Sequence, residues 1–352
     1  MNSSKTILNF AIVGCGNIAK KHLACIQFFS ESRLVGVCDV NHDNLKKFSA
    51  EHNVEAFNSI DVMMDKLDPD VIVVLTPSGS HAEIVKHLAV YKKHILVEKP
   101  ISLKLSDAQD MNDACKKYNS TLSVVKQNRF NNPIKLARNL FSSGSLGALF
   151  LGTVRVRWSR DQQYYDSAEW RGTWKNDGGV ICNQAIHHID MLQWFMGDVE
   201  SVYSSNTNAI LKIEAEDTSI SVVKFKNGSL GVIEASTAIR PTDLEGSISL
   251  LGTKGSIEIG GFAMNKIAKL ELEDKSLINQ FANLTGNPSD FAFAHIEFYR
   301  DYIEKITNNK LPTIDGKEAM KSLKIVHAIY KSHLENREVF LNEPELQSQL
   351  GL

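Results

Sequence analysis

The chain has 352 residues, room for about two domains at roughly 150 residues each. It is 43% hydrophobic and 23% charged with 8 Pro, which excludes disordered, collagen-like and low-complexity chains. Its 39 basic and 41 acidic side chains leave a net charge of -2, so general nucleic-acid binding is excluded and any anionic ligand must be met locally.

No run of about 18 apolar residues occurs, so a membrane-spanning helix is not expected. Residues 1–5 lack the layout of a signal peptide, and the expected location is the cytoplasm. The cysteines, Cys15, Cys25, Cys38, Cys115 and Cys182, are odd in number and show no CxxC pair. They read as small buried hydrophobes rather than disulfide partners or zinc ligands.

In chain order, the first third alternates β-branched runs at 7–13, 33–38, 71–75, 94–97 and 122–126 with helical spacing at 18–29, 44–52, 81–91 and 106–118. The alternation predicts an α/β domain, a parallel sheet covered by helices on both faces, over 1–126. Beyond Gln127 the texture changes. A helix opens at Asn131-Asn132-Pro133, a long strand at 149–158 carries Arg155 and Arg157 on one face, and a helix at 183–196 stops at Gly197. Strand signals dominate 199–260, with Asn227-Gly228 reading as a two-residue hairpin turn and residues 252–255 as a second connection. Helices near 291–306 and 317–334 close the chain. The second domain, 127–352, is therefore read as α+β with a large, mostly antiparallel sheet, its last helices packing on either domain.

Gly14-Cys15-Gly16-Asn17-Ile18-Ala19 lies between the first strand and a helix, the context in which GxGxxA makes a tight turn and brings backbone amides to a pyrophosphate. Asp39 ends the second strand 23 residues past Gly16, the place for a carboxylate that accepts from ribose hydroxyls. A carboxylate there repels a 2′-phosphate and Val40-Asn41-His42 holds no arginine, so NAD is favoured over NADP. Ligands in such sheets lie beyond the carboxyl ends of strands, which adds Thr76-Pro77-Ser78, His81 and Glu98-Lys99-Pro100.

The glycine motif together with Glu98-Lys99-Pro100 resembles the glucose-fructose oxidoreductase, inositol dehydrogenase and rhizopine catabolism family of NAD(P)-dependent sugar dehydrogenases. That resemblance implies a Rossmann first domain, a lysine beside substrate and nicotinamide at Lys99, and a lysine-proline bond that is often cis. The family's second signature, a glycine pair followed by Asp-x-x-x-His-x-x-Asp, is matched by residues 178–190, with Asn183 in place of the first aspartate and His187 and Asp190 retained. Asparagine is never charged and can only hydrogen-bond, so acid/base work falls on His187 and Lys99. Asn183 and His187, four apart, share a helical face. His187-His188-x-Asp190 does not make a convincing metal site, because no third ligand has suitable spacing.

Within the family, residues 127–133, 152–158, Tyr164-Tyr165, 170–174, 183–188, 214–218 and 243–247 resemble the UDP-N-acetyl-2-amino-2-deoxy-D-glucuronate 3-dehydrogenases. The resemblance implies oxidation of a sugar C3 hydroxyl with NAD, followed by amination by a PLP-dependent aminotransferase on the way to surface polysaccharide. It also implies a homo-oligomer, often a tetramer built through the second-domain sheets, and cofactor contacts at Gln127, Trp170 and Arg171.

His187 is the first choice of base, because imidazole takes up a proton near neutrality; Lys99 either steadies the alkoxide or exchanges roles with it. For the diphosphate and carboxylate the candidates are Arg129, Arg155, Arg157 and Arg171, with Tyr164 and Tyr165 for uracil. The arginine strand is equally readable as an oligomer interface or a solvated face. An inositol or simple hexose dehydrogenase and a non-catalytic dinucleotide sensor are the competing readings.

Overall fold

The computed structural model describes residues 7–281 and 293–352. The amino terminus read above, residues 1–5, and the first two residues of the helix expected at 291–306 lie outside the described residues. Two compact units emerge, Met1–Lys126 with His295–Met320, and Gln127–Ala294 with Lys321–Leu352.

In the first unit the elements run β1 (Leu8–Val13), α1 (Ala19–Phe28), β2 (Ser32–Cys38), α2 (His42–His52), β3 (Glu55–Phe57), α3 (Ile60–Leu67), β4 (Val71–Val74), α4 (His81–Ala89), β5 (His94–Val97), α5 (Leu105–Tyr118) and β6 (Thr121–Val124). All pairs are parallel, in the order β3-β2-β1-β4-β5-β6. The unbroken apolar run Val71-Ile72-Val73-Val74 is wholly buried, as a strand covered on both faces must be. β3 and α3 were not anticipated. β3 is a three-residue edge strand, and the two-turn α3 buries only Met63 and Met64, too short a pattern to register as a period.

The second unit holds α6 (Asn132–Ser142), β7 (Leu149–Arg157), α7 (Gln162–Asp166), α8 (Ile186–Met196), β8 (Val199–Thr207), β9 (Thr218–Phe225), β10 (Leu230–Ser236), β11 (Glu245–Gly252), β12 (Gly255–Gly260), β13 (Lys266–Leu272) and α9 (Lys275–Phe281). After α10 (Phe293–Thr307) and α11 (Gly316–Glu335), the two-residue β14 (Val339–Phe340) completes an eight-stranded sheet, β13-β12-β11-β7-β10-β9-β8-β14. Only β7 and β10 pair in parallel. Residues 183–185, expected to be helical, form a turn ahead of α8. The β9–β10 connection is not the two-residue turn its Asn-Gly pair suggested: four residues separate the strands, and Gly228 alone of the pair has positive φ, 85°.

α8 lies on one face of the sheet, where β7 offers Gly152, Val154 and Val156. A Cβ at Gly152 would stand 2.7 Å from Leu192 Cδ1, so glycine lets the helix settle on the strand. β9 inverts the usual alternation. Ser219 and Ser221 are buried with Val223 and Phe225, while Ile220 and Val222 are 56% and 48% exposed. The inward serines are hydrogen-bonded: Ser219 Oγ donates to Asn206 Oδ1, Ser221 Oγ to Ser204 Oγ, and Ser204 N–H to Ser332 Oγ on α11.

Asp190 on α8 takes a two-pronged bond from Arg129, Nε and Nη2 each at 2.8 Å, and the guanidinium also lies 4.9 Å from the Trp194 ring centroid. Both side chains are nearly fully buried. Removing one partner leaves an uncompensated buried charge, so Asp190→Ala should lower stability by about 3–5 kcal/mol in urea unfolding, and the double variant Arg129→Met/Asp190→Leu should recover most of that loss.

Candidate active site

In the first unit the chain leaves β1 at Gly14 with φ 101°. A Cβ there would stand 2.8–2.9 Å from the Leu75 carbonyl and the Thr76 nitrogen at the end of β4, so the turn excludes side chains on two counts. Gly16 differs: nothing lies within 4 Å of the place its Cβ would take. Asn17 and Ile18 then turn the chain into α1, with the Ala19 N–H donating to Gly16 O at 3.0 Å. Asp39 reaches the same turn; its Oδ2 accepts from the Cys15 N–H at 2.6 Å and its Oδ1 from the Asn41 N–H at 2.8 Å. A clear backbone cradle at Gly16 beside a carboxylate fits a dinucleotide with a free 2′-hydroxyl, NAD.

The strand ends beyond β4 and β5 are braced from within. Ser80 Oγ donates to Thr76 Oγ1 at 2.8 Å, and Ser78, following Pro77, is buried at the start of a single 3-10 turn. His81, expected at the cofactor, sits 1% exposed between two carbonyls, 2.9 Å from Pro100 O and 2.9 Å from Thr76 O, and burial lowers its pKa. It ties the two loops together. The Lys99-Pro100 bond is cis. Glu98 also faces protein: Oε2 accepts from the Lys99 N–H at 2.9 Å, and Oε1 lies 3.0 Å from Nε2 of His22, whose Nδ1 is 2.7 Å from the Tyr299 hydroxyl. Burial works to raise the Glu98 pKa, but the hydrogen bond and charge of His22, with Lys99 and His295, hold it at about 2. Glu98 thus fixes the backbone of Lys99 as an ionised anchor.

In the second unit the turn at 127–130 and α8 bring Gln127 Nε2 within 3.4 Å of His187 Nε2, and His187 is half-buried. Asn183 Nδ2 donates to Asp177 Oδ1, while Asp177 Oδ2 accepts from the Gly172 N–H at 2.8 Å. Asp177 thereby orients the Asn183 amide. His188 is fully buried beside Trp158, ring centroids 5.8 Å apart; neither ring nitrogen has a hydrogen-bond partner among the described residues, and burial drops its pKa to about 3. It is packing.

Tyr164, Arg171 and Trp170 form one cluster. The Arg171 guanidinium lies 4.3 Å and 4.5 Å from the Tyr164 and Trp170 ring centroids, donates from Nη1 to the Tyr164 hydroxyl at 2.7 Å, and leaves a buried Nε without a partner among the described residues. Arg160 adds a second cation, over the Tyr164 ring at 5.6 Å and the Trp158 ring at 5.4 Å. A surface hollow of about 440 Å³ opens here, lined by Ser159, Arg160, Asp161, Tyr164, Arg240 and Pro241. Sequence reading passed over Arg160 and Arg240, because neither sits in a periodic pattern or a motif.

The remaining candidates do not join this cluster. Arg129 is committed to Asp190. Tyr165 is 4% exposed, with its hydroxyl 3.1 Å from Thr237 Oγ1. Arg155 and Arg157 point to the sheet face opposite α8, where Arg157 donates to both carboxylate oxygens of Glu234 at 2.6 and 2.8 Å and to Glu245 at 3.1 Å, and Arg155 donates to Glu245 at 3.4 Å. Their charge is matched by neighbouring strands. Among the described residues no cluster of His, Cys, Asp and Glu could hold a metal ion, all five cysteines are buried free thiols, and no helix is long and apolar enough to cross a membrane.

Two family models match the chain: "Oxidoreductase family, NAD-binding Rossmann fold" over residues 8–126 and "Oxidoreductase family, C-terminal alpha/beta domain" over residues 138–341. Myo-inositol 2-dehydrogenase of Thermotoga maritima is 27% identical, the match covering 96% of this chain and 99% of the relative. Among solved structures, the WlbA dehydrogenase of Bordetella pertussis in complex with NADH and UDP-GlcNAcA is 34% identical with a TM-score of 0.90, over 96% of this chain and 99% of that one. The Chromobacterium violaceum WlbA dehydrogenase, in complex with the same two ligands, is likewise 34% identical at a TM-score of 0.90, over 96% of each chain.

The contrast between the two glycines is testable. Gly16→Ala should leave urea stability within about 0.5 kcal/mol of the parent, since a methyl there meets nothing, yet weaken NAD binding at least about tenfold in a calorimetric titration. Gly14→Ala should lose both, with about 1–2 kcal/mol coming from its backbone conformation alone.

Proposed function

The chain belongs to the oxidoreductase family of glucose-fructose oxidoreductase, inositol dehydrogenase and rhizopine catabolism proteins and is an NAD-dependent sugar dehydrogenase, and from that premise we propose that it oxidises the C3 hydroxyl of UDP-N-acetyl-2-amino-2-deoxy-D-glucuronate to the 3-ketone. The observation that carries this reading is the 34% identity, over 96% of the chain, to two dehydrogenases whose structures hold NADH and UDP-GlcNAcA.

NAD, when bound by Gly14, Gly16, Asn17, Ile18 and Asp39, supplies the hydride acceptor. The protein's own part is to take the hydroxyl proton and hold the sugar. His187, steadied by Gln127, is assigned the base, since a neutral imidazole nitrogen accepts a proton near pH 7. Lys99, its backbone anchored by Glu98, is assigned to steady the developing alkoxide; an exchange of roles between the two is the alternative. Asn183 is assigned a sugar hydroxyl. For the diphosphate and uracil the candidates at the hollow are Arg171, Arg240 and Tyr164, with Arg160, which pairs with Asp243 at 3.0 Å much as Arg155 and Arg157 pair with Glu245 and Glu234. The product, a 3-keto nucleotide sugar, suits a PLP-dependent aminotransferase as the next step towards surface polysaccharide.

A homo-oligomer, a tetramer on the family's pattern, belongs to the same proposal. Its support is the sheet face opposite α8, where Tyr203, Ile220, Val222 and Leu230 are 46–56% exposed among the described residues. Full-length similarity to a myo-inositol 2-dehydrogenase supports a second reading, a free-polyol dehydrogenase.

The deciding assay mixes the protein with NAD and either the nucleotide sugar or myo-inositol, follows reduced nicotinamide by absorbance and the keto product by mass, and adds 2-oxoglutarate as a recycling oxidant. No keto product from the nucleotide sugar at stoichiometric enzyme would sink the assigned reaction. Lys99→Ala and His187→Asn should each slow a single turnover at least about a hundredfold with NAD affinity unchanged; a variant with the parent rate has no part in the chemistry. Light scattering of Ile220→Glu/Val222→Glu should register a smaller assembly than the parent, and an unchanged mass rejects this face.

A further inference from the structure

Glu216 is a buried acid that the proposed chemistry does not use. It is 4% exposed and lies just ahead of β9, behind the glycine pair that leads into α8. Three consecutive amides of that turn end on it or on its partner. The Gly179 N–H donates to the Tyr330 hydroxyl at 3.2 Å, which donates to Glu216 Oε1 at 3.1 Å; the Val180 N–H donates to the Glu216 carbonyl at 3.0 Å; the Ile181 N–H donates to Glu216 Oε1 at 2.9 Å. These are the first donors of a helical turn, which have no carbonyl behind them in their own segment. Gly179 has no room for a side chain because a Cβ would run into the Glu216 carbonyl oxygen and carboxyl group. From this clamped turn the chain winds on: the Asn183 N–H donates to Gly179 O at 3.0 Å and the Gln184 N–H to Val180 O at 3.1 Å.

We propose that Glu216 is a positioning residue, whose carboxyl and carbonyl set the turn at 179–181 and thereby the places of Asn183 and His187. It acts through the backbone and touches no substrate. The inference rests on the reading that those two side chains serve the sugar.

The carboxyl does this work uncharged. Its Oε2 is buried without a partner among the described residues, and burial, opposed by the bonds from Ile181 and Tyr330 and assisted by the charge of Asp217, pushes its pKa up to about 8. The titratable groups that interact with it are Asp217, its neighbour in the segment ahead of β9, Tyr330 on α11 and Tyr165 on α7. Burial raises both phenols far out of the neutral range, and Asp217 stays ionised, so Glu216 is the member of this set that changes charge just above neutrality. The folded protein therefore keeps a proton that an unfolded glutamate, with a pKa of about 4.3, has lost, and stability falls as pH rises through that window.

Glu216→Gln keeps the shape and the accepting oxygen and cannot ionise; Glu216→Ala removes both. In the parent, kcat for the nucleotide sugar should fall on the alkaline side around pH 8 with KM for NAD unmoved, Glu216→Gln should keep at least about a third of kcat near pH 6.5 and lose that limb, and Glu216→Ala should drop kcat at least about tenfold. Two readouts need no turnover: the His187 ring signals in NMR should show a step around pH 8 in the parent, beyond the ring's own protonation, that the glutamine variant lacks, and the parent's melting temperature should fall more steeply than the variant's between about pH 5 and pH 8. An alkaline limb that survives in Glu216→Gln, or ring signals that behave alike in both proteins, overturns the proposal. If no protein turns over the sugar, the substrate reading has failed, and the ring signals and melting curves still decide the role of Glu216. If Glu216→Ala does not fold, the glutamine variant carries the decision.

Discussion

The paired bonds between Arg129 and Asp190 are the contact on which the second unit's site depends. Two opposite charges are taken almost completely out of water, a step whose desolvation cost is offset only by good geometry, and a guanidinium fork meeting a carboxylate through two 2.8 Å bonds supplies it. The pair joins the short turn at 127–130 to α8. Gln127 begins that turn and His187 lies one helical turn before Asp190, so the ion pair joins the two segments whose side chains meet at 3.4 Å. Arg129, expected among the arginines for the substrate, spends two of its donors on this pair.

What the sequence made legible was local. The turn at Gly14 and Gly16 announced itself because strand, glycines and helix are contiguous, and Asp39 because a β-α-β unit fixes roughly how far on its acid must fall. Lys99 was legible as the end of a strand. The side chains whose surroundings the sequence did not show have partners far along the chain: Arg129 and Asp190 are 61 residues apart, Arg157 and Glu234 77, and Arg157 and Glu245 88. Nothing at Arg157 itself says whether its anion will be a ligand or a glutamate brought alongside by strand pairing. The glycine pair at 178–179 was recognised as part of a motif, but its physical reason, Glu216 lying against Gly179, comes from a distant segment ahead of β9.

One departure from the family pattern also gains a cause. Asn183 stands where an aspartate is usual, and its amide donates to the nearly buried carboxylate of Asp177. A carboxylate at 183 would face a second carboxylate at hydrogen-bond distance, and one of the two would have to hold a proton. The asparagine keeps the same shape with a donor on the side where a donor is needed. Asp177 also holds the Gly172 amide, so the loop that bears Trp170 and Arg171 and the turn that bears Asn183 share one anchor.

The inverted alternation of β9 carries a consequence for how its pairing is chosen. A slip of one residue against β8 and β10 would send Ile220 and Val222 inward, but it would also bring Val223 and Phe225 out and turn Lys224 towards the core. Apolar burial in the two registers is therefore nearly matched in the aliphatic residues, and only Phe225 and Lys224 separate them on that count. A polar term acts in the same direction: Ser219, Ser221, Ser204 and Asn206 exchange hydrogen bonds in the native alignment and are tied to α11 through Ser332. The half of the strand nearest β9's start is thus aligned by hydrogen bonds and the half nearest its end by Val223 and Phe225.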